Sequence, residues 1–152
     1  MTDFLDTMAQ HKHRVHARLM ANKQPLLAAL RQLGAKSVVI TYAGSGDSGQ
    51  IESLTVRDSQ EQELNLDAPT VTVLQSEGIF GDDGFRERTE PRTQPLKEAL
   101  ESFVYDWLED TQPGWEINDG SSGECTIDVE DARFNLDHTN YYTESSSHGY
   151  SL

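Results

Sequence analysis

Across residues 94–110 the apolar side chains Leu96, Ala99, Leu100, Phe103, Val104, Trp107 and Leu108 recur at steps of three and four. That period places them on one side of an α-helix. Lys97, Glu98, Glu101 and Asp106 fall on the other side. A helix divided in this way cannot stand alone, because its stripe must be buried against a second layer. The material for that layer is a set of short runs rich in β-branched and aromatic residues, at 37–42, 51–56, 63–66, 71–74, 115–117, 125–129 and 132–136. The expectation is an α+β fold, with an antiparallel sheet of about six strands and two main helices on one face.

The other main helix is expected over 4–33, where Met8, Val15, Leu19, Leu26, Leu30 and Leu33 form a second stripe. Gly34 is placed to end it. Pro25 interrupts the pattern and predicts either a kink or two helices, the second opening near Asn22. Residues 77–93 carry glycine, acid and proline with little periodicity and read as a mobile loop. The end of the chain, 138–152, reads as a last edge strand or a loose tail. With 152 residues, the chain is the size of one domain, 1–152, with 1–21 as a basic helical extension.

Two glycine strings stand between strand runs. Gly44-Ser45-Gly46-Asp47-Ser48-Gly49-Gln50 separates the first two, and Asp119-Gly120-Ser121-Ser122-Gly123-Glu124 precedes a later one. Both read as hairpin turns. Their order, helix, strand, glycine string, strand, repeats and suggests an α-β-β duplication, although turn residues also recur by chance.

The string Tyr42-Ala43-Gly44-Ser45-Gly46-Asp47-Ser48-Gly49-Gln50-Ile51-Glu52 is followed by a helix and by Gly114-Trp115-Glu116, Asp119-Gly120 and Gly123-Glu124. Together these resemble a family of small proteins of unknown function scattered through bacteria, plasmids and phages, over roughly residues 22–140. The resemblance implies an accessory gene of a mobile element. It implies no activity and assigns no catalytic residue.

Charge narrows the function classes. The chain carries a formal −14. Residues 1–36 hold six basic and two acidic side chains, so the acidity is concentrated in residues 37–152. Such a body repels nucleic acid and anionic membrane, and attracts a basic surface or a cation. No apolar run approaches the ~20 residues that cross a bilayer, and no secretory signal is visible. Cys125 is the only cysteine, which rules out an internal disulfide and points to the cytoplasm.

Several chemistries compete. Gly46-Asp47-Ser48-Gly49 resembles a serine-protease nucleophile string, but the histidines before it, His11, His13 and His16, all lie in one predicted helix. A phosphate cradle needs a helix N-terminus behind the glycines, and a strand follows instead. Asp47, Ser48, Asp119 and Glu124 are hard oxygen ligands of the kind calcium takes, provided that the two loops converge; otherwise they serve as turn residues. His13 and His16 share a helix face but do not complete a zinc site. The leading expectation is a non-enzymatic binding protein, with no catalytic residue, no metal and no cofactor. It would take a protein partner with a basic surface through Ser45, Asp47, Ser48, Gln50, Asp119 and Glu124. In its sharper form its carboxylates imitate the phosphates of nucleic acid.

Overall fold

A computed structural model describes residues 2–45, 48–81, 84–111 and 120–140. Helix α1 runs over Thr2–Leu33 and strand β1 over Ser37–Ser45. Strands β2 (Ser48–Arg57), β3 (Thr70–Gly81) and β4 (Gly84–Pro95) follow. Helix α2 spans Leu96–Thr111, and β5 (Ser121–Asp128) and β6 (Arg133–Asn140) close the described chain.

The class is α+β, with six strands in two antiparallel sheets. The single six-stranded sheet expected from sequence is therefore corrected to a four-stranded sheet in the order β2-β1-β5-β6 and a separate β3-β4 hairpin. One reason is visible on α1. Asn22, 4% exposed, donates from Nδ2 to the Leu74 carbonyl at 3.0 Å, and its Oδ1 accepts from the Leu74 amide at 2.8 Å. The free edge of β3 thus spends on a side chain the two groups that a further strand would use.

α1 is one helix through Pro25, not two. Proline removes a hydrogen bond to the carbonyl four residues back, here that of Ala21, an exposed residue that water can serve. Directly behind it Leu26, Leu27 and Leu30 are at most 1% exposed, so packing holds the helix across the break. Val15, Arg18 and Leu19 are buried as well. From Val15 onward the basic segment is thus packed against the rest of the described chain. Gly34 ends the helix at φ 86°. Its amide reaches Arg31 O at 3.1 Å and the Ala35 amide reaches Leu30 O at 2.9 Å, the paired closure of a Schellman cap.

The four-stranded sheet has two unlike faces. Register places Val56, Val38, Ile127 and Phe134 in one row, Leu54, Ile40, Cys125 and Leu136 in the next, then Ile51, Tyr42, Gly123 and His138. The apolar members of these rows join the core with Leu26, Leu30, Leu100, Phe103, Val104 and Leu108, so both helices cover this inner face. Trp107 is only half-buried and meets Phe103 and Phe134 edge-on, with centroids 6.0 and 6.4 Å apart.

Three local expectations fail. Where 77–93 read as loop, β3 and β4 pair continuously from Thr70↔Pro95 to Gly81↔Gly84. Backbone bonds and cross-strand pairs such as Thr72–Thr93, hydroxyls 2.7 Å apart, hold the hairpin without regular apolar alternation. At 63–66 there is only an isolated bridge, Arg57↔Glu63, with Leu66 buried as a plug. The second glycine string is not a turn: Ser121, Ser122 and Gly123 lie inside β5, paired to Gly44, Ala43 and Tyr42. The two strings therefore play different parts, and the expected second α-β-β unit cannot be matched to the first, since 115–117 lie outside the described residues. Of the expected tail, 138–140 belong to β6; the rest, with Tyr141, Tyr142 and Tyr150, lies outside them.

Candidate functional site

Antiparallel pairing brings the two glycine strings to one end of the sheet. β1 ends at Gly44 and Ser45, which register with Gly49 and Ser48 on β2, while Gly44 faces Ser121 on β5. Ser45 and Ser48 are thus opposed at the hairpin end in backbone register. Asp47 and Asp119 lie outside the described residues. Gln50 registers with Ala43, which registers with Ser122, and Glu124 registers with Thr41. Of the six residues expected to bind, Gln50 and Glu124 therefore fall on one surface, the face away from the helices.

That outer face is small and polar in the middle. One row reads Ser53, Thr41, Glu124, Asp137 and the next Gln50, Ala43, Ser122, Thr139. Thr41 and Ser53 share a hydroxyl hydrogen bond of 2.5 Å. A register shift beside Thr41 leaves Glu52 as an extra, exposed residue on β2. Gln50, Ser53, Glu124, Asp137 and Thr139 are exposed as well. The basic residues of the sheet, Arg57 and Arg133, stand at its far end, registered with Ser37 and Asp128.

Glu124 and Asp137 are directly opposite one another on β5 and β6. Like charges in that position destabilise a sheet, and among the described residues neither has an ion-pair partner. Sequence reasoning missed Asp137. The alternation of Arg133, Asn135, Asp137 and Thr139 with Phe134, Leu136 and His138 marks a half-buried strand, but nothing local says that this strand lies beside Glu124.

On the inner face, the glycine end holds a polar pair that was also missed. The Tyr42 hydroxyl and His138 Nδ1 are 2.5 Å apart, and their rings stack with centroids 5.7 Å apart. The contact joins β1 to β6 across β5, and Gly123 is what permits it. A Cβ at Gly123 would strike the Tyr42 hydroxyl and ring and the Asp137 carbonyl, far inside contact distance. Gly120 adopts φ 91°; Gly123 is required for space alone. Burial, and secondarily Cys125, pushes the Tyr42 phenol well above its ordinary pKa. Burial first, then Glu124, pushes the Cys125 thiol up to about 12.

The helix histidines are differently placed. His13 is exposed, and His16 Nδ1 lies 3.0 Å from Asp110 Oδ2. Beside it Arg18, 7% exposed, grips Asp106 with two bonds of 2.8 and 3.0 Å, locking α1 to α2. Among the described residues no group of three His, Cys, Asp or Glu side chains could hold a metal ion. No described helix is long and apolar enough to cross a membrane.

These features define a class before a family: an α+β domain whose helices cover one face of an antiparallel sheet and whose other face, left uncovered by the described residues, is polar and acidic at its centre. The chain belongs to a family of unknown function, DUF6878, whose model matches residues 19–152. No curated protein and no solved structure matches it.

Proposed function

We propose that this is a non-enzymatic, cytoplasmic binding protein that receives a basic protein partner on the open sheet face, beside the glycine hairpin. The observation that carries the reading is Glu124 facing Asp137, exposed, with no cation of the described chain beside either. A sheet optimised only for folding would not hold that repulsion, and departures of this kind concentrate where a surface serves something else. A lysine or arginine of a partner would relieve it. Glu52, Gln50 and Ser53 extend the same surface with further acceptors. Carboxylates on one sheet face, Glu52, Glu124 and Asp137, suit a groove built for phosphates, so nucleic-acid mimicry, and an accessory or counter-defence role on a mobile element, is the sharper form of the proposal.

The test is capture from the native host with the full chain as bait, repeated with Glu52→Gln/Glu124→Gln and with the control Glu98→Gln/Glu109→Gln on α2. The partner should be lost from the first variant and kept by the control, and its affinity should fall with added salt. Glu124→Gln should at the same time stabilise the isolated chain by roughly 0.2–1 kcal/mol, since it removes a like-charge pair. A partner that binds the face variant as it binds the parent refutes the proposal.

A further inference from the structure

The strand edges of this molecule are treated unequally. On β2, the Leu64 amide donates to the Val56 carbonyl at 2.8 Å and the Ile51 amide donates to the Tyr105 hydroxyl at 3.2 Å. On β3, the Asn22 side chain occupies both the carbonyl and the amide of Leu74. β4 contains Pro91 and Pro95, which carry no amide hydrogen. Blocking of this kind is how sheets avoid pairing with another chain. β6 is the exception. From Arg133 to Asp137, none of the described residues hydrogen-bonds to its outer backbone edge.

The side chains of that open edge are self-complementary. Arg133, Asn135 and Asp137 alternate, exposed, on the outer face, while Phe134 and Leu136 are half-buried on the inner face against the core. We propose that β6 pairs antiparallel with β6 of a second copy of this chain, about a two-fold axis through Asn135, so that the two sheets become one of eight strands. In that register Arg133 of each copy stands opposite Asp137 of the other, and Phe134 stands opposite Leu136 of the other. Shifting the axis to Arg133 or Asp137 would set a charge against itself, and shifting it to Phe134 or Leu136 would part Arg133 from Asp137, so the axis through Asn135 is the one that pairs the charges. Neither Arg133 nor Asp137 has an ion-pair partner among the described residues. The inner rows Val56-Val38-Ile127-Phe134 and Leu54-Ile40-Cys125-Leu136 would continue as apolar rows into the second copy. The mutual repulsion of two acidic bodies is screened beyond ~8 Å at physiological ionic strength, while the paired edge charges sit within contact. The interface is isologous and closes at two copies. It touches the proposed partner surface at one residue: Arg133 of the second copy would compensate Asp137 and leave Glu124 and Glu52 to the partner, so loss of the dimer and loss of the partner are read separately, by sedimentation and by capture.

The experiment is sedimentation equilibrium of the full chain from micromolar to millimolar concentration, with Arg133→Glu, Asp137→Arg and the double exchange. Both positions are exposed, and circular dichroism checks that each variant keeps its fold. The parent should show a concentration-dependent dimer. Each single exchange turns two attractions into two repulsions and should weaken the dimer by roughly tenfold or more, and the double exchange should restore it. A parent that stays monomeric throughout overturns the proposal. So does a dimer indifferent to the single exchanges, or a folded double variant that fails to recover association.

Discussion

Gly123→Ala is the most discriminating single change, because two ordinary rules predict opposite signs. In an unobstructed strand, alanine is preferred to glycine by roughly 0.5–1 kcal/mol through the entropy of the unfolded chain. At Gly123 a methyl group would fall on the Tyr42 hydroxyl, the Tyr42 ring and the Asp137 carbonyl. Tyr42 is 1% exposed and has no open space to enter. Displacing it breaks the 2.5 Å contact with His138, worth roughly 0.5–1.5 kcal/mol, and overpacking a filled site adds roughly 1–3 kcal/mol. After the entropic gain, a net loss of roughly 0.5–4 kcal/mol is expected. Urea melts of Gly123→Ala, Tyr42→Leu and the double variant would measure it. Because Tyr42→Leu already clears much of the obstruction, the double variant should lose less than the sum of the singles, a positive coupling between touching residues. An alanine variant as stable as the parent would refute the account, and so would strict additivity.

Phe103→Ala should cost roughly 3–5 kcal/mol, since Phe103 is 3% exposed and meets Trp107 and Phe134; an unchanged melting midpoint would mean that α2 does not carry the core. Cys125 should stay unreactive toward thiol reagents near pH 8 in the folded protein and react on unfolding, because burial holds it as the thiol. Its folded pKa is raised from 9.0 to about 12, so the contribution it makes to stability is complete below pH 9 and lost as pH rises toward 12. Melts across that window should show the decline, and Cys125→Ala should make it shallower, the Tyr42 phenol, also raised by burial, supplying the remainder.

The helices were legible because their information is local. The stripe from Leu96 to Leu108 needs no knowledge of the rest of the chain, and its members Leu96, Ala99, Leu100, Phe103, Val104 and Leu108 are the buried ones. Gly34 likewise announces the end of α1, where its positive φ closes the cap. β3 and β4 past Glu77 were illegible for the complementary reason. Their pairing is a matter of backbone groups meeting across a hairpin, and a run such as Arg86-Glu87-Arg88-Thr89-Glu90-Pro91 has no apolar period to report it.

The candidate surface divides in the same way. Composition established on its own that this body is acidic, with a basic first helix, and the glycine strings marked out Gln50 and Glu124. That these two share a face, that Asp137 stands opposite Glu124, and that Gly123 is a slot for Tyr42 and not a turn were decided by the order β2-β1-β5-β6. Strand order joins residues some ninety positions apart, and period-two alternation says which side of a strand a residue takes but never which strand is its neighbour.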